Sequence, residues 1–571
     1  HPRVRRQRQM CIRDRYGLTK GKKEILIETL KNNYASEQVF IRLYGFGLTS
    51  KMIYRLYEAY RDTAANRIEE NPYCLIYEVE GFGFKKSDRL ALTLGFKVND
   101  IRRLKAAILY TLTYVCYQQG FTFLTKEQLL NSAKRLLSDS PEITEEEWQS
   151  ALELLIQEDS LILEGERVFE PILYRSELKC SEKIKKLYRA KGKTFPQDKV
   201  KDRLKEIEEL LQITYTPLQR EAIVNALSNK LSIITGGPGT GKSTILNGIL
   251  NLYAKLNKLS VSDDEMQYKV LLVAPTGRAA KRMSETTRFK ASTIHKALGY
   301  SYEGGFSHNE NSLLSCSFVI VDEVSMLDIE LAASLFSALP NTASVLLVGD
   351  ANQLPSVGPG NVLADLMAGR MFKTTVLNQI MRQASTSDII TLSHMVLSEN
   401  ISYDIFSNRR EVFFYDYDTK DALEGIFKII DNFIASGGDL QTELQILAPM
   451  YAGVAGIDAI NTAVQERYNP EGEKLIKRDS ALFKKNDKVL QLKNDAQLDI
   501  MNGDIGKIID IVRIDEKDAL LIDFDGRVVT YSVSLLDNLK LAYAISIHKA
   551  QGSEFKNVIL PILPSYQIML K

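Results

Sequence analysis

The run Leu231-Ser232-Ile233-Ile234-Thr235, followed by GGPGTGKST from Gly236 to Thr244, constrains this chain more than any other stretch. A β-branched segment that ends in glycines and resumes with Lys-Ser-Thr reads as strand, turn and helix. Such a turn presents backbone N–H groups to phosphate oxygens, and the helix starting near Lys242 aims its positive end at them. The spacing Gly-x-x-x-x-Gly-Lys-Ser is complete, so Gly237, Gly239, Thr240, Gly241 and Thr244 are expected around phosphate. Lys242 would reach the β- and γ-phosphates, and Ser243 would offer its hydroxyl to Mg²⁺. A nucleoside triphosphate with Mg²⁺, ATP in the first instance, is the expected ligand.

Further strands supply what hydrolysis needs. Phe318-Val319-Ile320-Val321 ends in Asp322-Glu323, where one carboxylate can hold Mg²⁺ and the next can orient or deprotonate water. Val345-Leu346-Leu347-Val348 ends in GDANQLPSVGPG, whose Gln353 can sense a γ-phosphate through a single hydrogen bond. Ahead of the loop, YTPLQREAIVNAL opens a helix at Pro217 and puts Gln219 where an amide could meet an adenine edge, although alone it is an ordinary surface Gln. Val270-Leu271-Leu272-Val273-Ala274 runs into PTGRAAKRM, with Thr276 and Arg278 at the carboxyl end of a strand, where α/β sheets bind ligands. ASTIHKAL then offers Thr293, His295 and Lys296 as donors suited to a nucleic-acid backbone. A lone His is usually structural, and His295 gains weight from its neighbours.

In this order GGPGTGKST, APTGRAA, VDEVSM, GDANQLPSVGPG and NQIMRQ resemble the superfamily 1 DNA helicases, and specifically the RecD-like family, in its stand-alone branch with a long N-terminal region. The resemblance implies two RecA-like motor domains, with Arg382 as an arginine finger reaching the γ-phosphate from the second. It implies an SH3-like barrel from Gly503 to about Leu539, where strands alternate around Asp523-Phe524-Asp525-Gly526, and a β-hairpin in GYSYEGGFSHNENSLLS. LAYAISIHKAQGSEF resembles a helicase motif in which His548 and Lys549, with Asn502 nearby, contact DNA; Ala550 stands where the family commonly has Ser. The resemblance further implies travel on single-stranded DNA, 5′ to 3′, toward a duplex junction, in repair or recombination, by a monomer. The family's closing Thr-Arg-Ala segment, with its second arginine finger, is not met before PSYQIMLK. A truncated and weakly active chain is the expectation.

The 571 residues are too many for one core, so an α/β multidomain chain is expected. The expected domains are a non-native leader at 1–15, helix-hairpin-helix modules at 16–100, and a winged-helix-like module with connector at 101–200. The first motor domain follows at 201–370, its hairpin insertion near 299–316, then the second at 371–480, an inserted barrel at 481–540, and a return to the second motor at 541–571. HPRVRRQRQMCIRDR carries six arginines without periodicity and resembles translated cloning sequence. LYGFGLTSK and VEGFGFKK each set two glycines in a tight turn beside Lys51 or Lys85 and Lys86, which fits DNA phosphate contact or plain helix packing. TKEQLL and TEEEWQSALELLIQ place Thr125 and Thr144 as helix N-caps, and LILEGERVFEP reads as a hairpin.

Seventy-three Lys and Arg against 72 Asp and Glu give no global field, so DNA contacts must be local. The cysteines Cys11, Cys74, Cys116, Cys180 and Cys316 lack metal spacing, and no apolar run is long enough for a bilayer, so a reducing, cytoplasmic setting without a membrane is expected. An ATP-switched DNA-end-binding clamp is the alternative, against which Glu323 and Gln353 argue. A small-molecule P-loop kinase would need no second motor.

Overall fold

The computed structural model describes residues 38–140, 142–301, 304–379, 387–406, 410–470, 475–478, 481–495, 497–498, 500–514, 517–567 and 569. The chain divides into two compact units between Arg175 and Ser176, upstream of the boundary near residue 200 that the charge pattern suggests. Among the described residues no helix is long and apolar enough to cross a membrane.

The first unit is built on α1 (Ser50–Tyr60), α2 (Ala64–Glu70), α3 (Phe84–Thr93) and α4 (Ile101–Gln119). Two glycine turns enter α1 and α3. Gly47 and Gly81 take φ of 75° and 88°, a region closed to most side chains, and this lets the helices fold back on one another. Leu43, Ile53, Leu56, Ile68, Leu75 and Leu90 form the apolar centre between them. Next come β1 (Phe123–Thr125), α5 (Lys126–Leu136), α6 (Glu145–Gln157), β2 (Ile162–Glu164) and β3 (Arg167–Phe169). The strands form an antiparallel sheet of order β1-β3-β2, its β2–β3 turn passing through left-handed Gly165. Thr125 and Thr144 cap α5 and α6 in full capping boxes with Gln128 and Glu147, as the sequence spacing predicts.

After a helix, Pro171–Arg189, that runs across the boundary, the second unit continues with α7 (Gln197–Leu211) and α8 (Pro217–Ser228) and then builds a sheet from β4 (Leu231–Gly236), β5 (Val270–Ala274) and β6 (Ala291–Thr293). Between these strands lie α9 (Lys242–Leu256) and α10 (Gly277–Thr287), and after β6 the short α11 (Ile294–Ala297) leads to the hairpin β7 (Tyr300–Ser301) and β8 (Gly305–Phe306). The sheet is completed by β9 (Phe318–Val321), β10 (Ser344–Gly349) and β11 (Lys373–Leu377), in the order β11-β4-β10-β9-β5-β6 with every pair parallel. All of β4, β9 and β10 is buried, which explains why these strands read as unbroken apolar runs. The carboxyl ends of β4, β9 and β10 therefore gather at one edge.

A second parallel sheet, β20-β12-β21, follows from β12 (Leu444–Ala448), β20 (Ala544–Ser546) and β21 (Asn557–Ile559), with α12 (Ile457–Tyr468) and the short α13 (Ile547–Ala550) on the same half. Between β12 and β20 stand the hairpin β13 (Leu475–Arg478) and β14 (Ala481–Lys484), then an antiparallel sheet of order β18-β17-β16-β15-β19. Its strands are β15 (Lys488–Gln491), β16 (Ile505–Ile514), β17 (Lys517–Phe524), β18 (Arg527–Ser532) and β19 (Leu539–Leu541). Phe483, Val489, Ile508, Leu520, Ile522 and Tyr531 form its own core. Fully buried Asp487 ties this module to the motor half, accepting hydrogen bonds from Asn469 Nδ2 at 2.8 Å and Tyr543 Oη at 3.0 Å.

Candidate active site

β4 ends at Gly236, and the chain turns through Gly239 and Gly241, whose φ of 73° and 84° place backbone N–H groups on the inside of the loop. Gly236 cannot be larger, since a Cβ there would lie 2.8 Å from that of Leu377 on β11. Lys242, the first residue of α9, donates from Nζ to the carbonyls of Gly236 at 2.6 Å and Gly237 at 3.2 Å, so its charge is folded over the mouth of the loop. A cleft of about 470 Å³ opens there. It is lined by Gly237 to Thr244, by Met283, Thr286 and Thr287 of α10, and by Asp322, Glu323 and Gln353, and it is closed by Gly552, Ser553 and Glu554 of the second half. Its size suits a nucleotide.

Asp322 is fixed at the end of β9 by its N–H, which donates to the Val273 carbonyl at 2.9 Å. Its Oδ1 accepts the Glu323 N–H at 2.9 Å. Glu323 takes a left-handed φ of 52°, a strained choice for a side chain that long and one that cants its carboxylate toward the cleft. Burial raises both carboxyls above the usual carboxylate range, and the Asp322 charge adds to the rise at Glu323, while Lys242 and Arg282 pull both back down. Ser243 and Asp322 line the same cleft and are oxygen donors of the type Mg²⁺ takes, so the site fits the ion. Among the described residues no group of three or more His, Cys, Asp or Glu could hold a metal. An ion here would depend on these two side chains and on phosphate oxygens.

Gln353 lies exposed at the cleft, on a loop whose Leu354 carbonyl accepts Gln551 Nε2 of the second half at 3.2 Å. Arg382 lies outside the described residues. Gln219, expected at an adenine edge, sits under the phosphate loop. It is buried, its Oε1 accepts the Thr216 N–H at 3.0 Å in a capping box, and its Nε2 donates to the Thr240 carbonyl at 3.0 Å. The amide braces the phosphate loop from beneath, at the place where an adenine contact is expected.

The expected DNA contacts fall into two groups. On the first half Thr276 caps α10 through the Ala279 N–H, and Thr293 caps α11 through the Lys296 N–H at 3.1 Å. His295 and Lys296 are exposed, and the His295 ring packs against Tyr300 and Phe306 of the β7–β8 hairpin at 5.5 and 5.7 Å between centroids. Arg278, expected at DNA, donates to the Ser553 hydroxyl. On the second half Lys549 Nζ donates to Asn502 Oδ1 at 2.7 Å, and His548 is exposed. Thr293-Ile294-His295-Lys296-Ala297 and Ser546-Ile547-His548-Lys549-Ala550 are one element used twice: each follows a parallel strand, and each hydroxyl caps its helix through the Lys N–H.

Two residues escaped the sequence reading. Arg282 of α10 and Glu554 line the cleft and form an ion pair across it. The legible signal was the i, i+4 spacing of Arg278 and Arg282 on a helix leaving the carboxyl edge of a sheet.

Family models match four stretches of the chain. Residues 32–123 match the ATP-dependent RecD2 DNA helicase HHH domain, 219–359 an AAA domain, 460–524 the ATP-dependent RecD-like DNA helicase SH3 domain, and 541–571 the UvrD-like helicase C-terminal domain. The ATP-dependent RecD2 DNA helicase of Deinococcus radiodurans is 31% identical over 97% of this chain and 74% of its own length. The RecBCD enzyme subunit RecD of Buchnera aphidicola is 26% identical, covering 63% of this chain and 70% of the relative. Among solved structures the Pif1 helicase from Candida albicans is similar with a TM-score of 0.37 and 19% identity, over 61% of this chain and 89% of that one.

Proposed function

The chain belongs to the RecD2-like family of ATP-dependent DNA helicases, and from that premise we propose that it couples ATP hydrolysis to movement along single-stranded DNA and to opening of the duplex ahead. One observation carries the reading. The cleft in front of the phosphate loop is walled by both α/β halves, and each half bears a copy of the same Ser/Thr-Ile-His-Lys-Ala element. A change in the width of the cleft is then a change in the distance between two equivalent grips.

In this reading the N–H groups between Gly237 and Gly241 bind the phosphates, and Lys242 exchanges the loop carbonyls for the β- and γ-oxygens. Ser243 and Asp322 would hold Mg²⁺, which when bound neutralises charge on the phosphates. Glu323 orients the attacking water and takes its proton, a task helped by burial that raises its carboxyl above the ordinary value. Gln353 reports whether the γ-phosphate is present, and its loop passes that state to the second half through Gln551. Arg382 is the proposed finger. Thr276, Thr293, His295 and Lys296 on one half, with Asn502, His548 and Lys549 on the other, hold the backbone of the DNA strand; Arg278 acts behind them through Ser553. Travel from 5′ to 3′ and work in repair or recombination complete the proposal.

The deciding experiment measures ATP turnover with and without single-stranded DNA, for the wild type and for Lys242→Ala, together with strand displacement on duplexes carrying a 5′ or a 3′ tail. Stimulation by DNA, its loss in the variant and displacement from the 5′ tail alone are the expected results. Turnover indifferent to DNA would sink the motor reading and favour an ATP-switched clamp.

A further inference from the structure

Helix α10 directs three cations at the return segment and the barrel. Arg278 reaches the Ser553 hydroxyl, Lys281 reaches Asp525 in the β17–β18 turn, and Arg282 reaches Glu554. Arg282 stands apart because both members of its pair line the nucleotide cleft. Among the described residues that line the cleft, only Lys242 and Arg282 are cationic, against Asp322, Glu323 and Glu554. Two of those carboxylates have roles in hydrolysis as proposed above. Glu554 and Arg282 have none.

The pair is a poor staple. Its side chains are 46% and 72% exposed, and an ion pair so wetted adds little to stability. Arg282 nevertheless sits close enough to Asp322 and Glu323 for its charge to favour their ionised forms. A cation in that position, held by a single exposed carboxylate, is available to a stronger anion. A polyphosphate is such an anion, since it carries more charge than Glu554 and offers guanidinium two oxygens at once.

We propose that Arg282 exchanges Glu554 for the phosphates of the bound nucleotide, so that nucleotide binding releases the second motor half from α10 at this point. The proposal rests on the nucleotide reading of the cleft and adds to it a second phosphate-binding cation and a carboxylate that competes for it. By linkage, any movement that draws Glu554 away strengthens nucleotide binding to the same extent.

The test is calorimetric titration of the full chain with a slowly hydrolysed ATP analogue and Mg²⁺, run on the wild type, Lys242→Ala, Arg282→Ala, Glu554→Gln and the double exchange Arg282→Glu with Glu554→Arg. Removing Arg282 is expected to weaken binding about tenfold. Glu554→Gln removes the competing charge and is expected to bind roughly threefold more tightly than wild type. The double exchange restores an ion pair but not a phosphate ligand, and it stays as weak as Arg282→Ala. A mere cleft staple predicts the reverse: Glu554→Gln as weak as Arg282→Ala, and rescue by the exchange. Either result, or wild-type affinity in Arg282→Ala, overturns the proposal. If Lys242→Ala weakens binding while Arg282→Ala does not, the exchange fails alone; if the wild type binds no analogue, the nucleotide reading falls and the exchange with it.

Discussion

Asp322 and Glu323 put function and stability in opposition. Each carboxyl is held above its ordinary range by burial, which means the empty fold carries a cost for keeping it ionised at neutral pH. Removing the charge while keeping the shape should therefore stabilise the protein as it disables it. Asp322→Asn and Glu323→Gln are expected to leave the nucleotide-free thermal midpoint unchanged or to raise it by about 2–4 °C. ATP turnover should meanwhile fall by roughly 10²-fold or more. A lowered midpoint, or turnover within about threefold of wild type, contradicts the roles given to them. These carboxylates were legible because strand and chemistry are contiguous in the sequence. Gln219 was legible only in part, because a Gln three residues after a Thr is also a capping-box residue, and its burial beneath the loop does not show in sequence spacing. Arg282 and Glu554 were invisible as a pair because their meeting depends on how two distant segments pack.

At the level of elements, β4, β9 and β10 of the first sheet announce themselves since burial on both faces demands unbroken apolar runs. The antiparallel module is harder to read. Its strands alternate, and its attachment to the motor depends on buried polar groups that a hydrophobic pattern cannot reveal. Lys488 on β15 is one such group: its Nζ donates to the Leu444 carbonyl on β12 at 2.9 Å, and burial lowers its pKa from 10.5 to about 8. Between those values the unfolded chain binds the proton and the folded chain does not, so stability contributed at this site rises with pH. Below about 8 the full cost of the buried ammonium is present. Lys488→Met removes that cost but leaves the Leu444 carbonyl unpaired, a penalty independent of pH. The thermal midpoint of the variant relative to wild type should thus decline steadily as pH is raised from about 8 to 10.5, tracked by differential scanning calorimetry. A constant offset across that window would mean Lys488 is not buried as charge.

For the whole molecule, a formal net charge of +1 leaves no long-range field to draw in DNA, and affinity must come from a few placed contacts. The salt dependence of binding to single-stranded DNA counts them, at about 0.7 per phosphate neutralised. Lys296→Ala and Lys549→Ala are each expected to reduce the slope of log K against log salt by about 0.7, measured by fluorescence anisotropy, and to weaken binding evenly across sequences. An unchanged slope would place the strand elsewhere on the protein. The two lysines also bear on a question of symmetry. The elements that carry them are the same five-residue device, Thr293 to Ala297 and Ser546 to Ala550, differing only in which hydroxylic residue caps the helix. Two grips of one sequence do not by themselves set which of them lets go first. Whatever makes motion one-way must break that equivalence, and the phosphate loop does so, because it belongs to one half and only faces the other. Direction of travel is on this view a property of the clock and not of the feet.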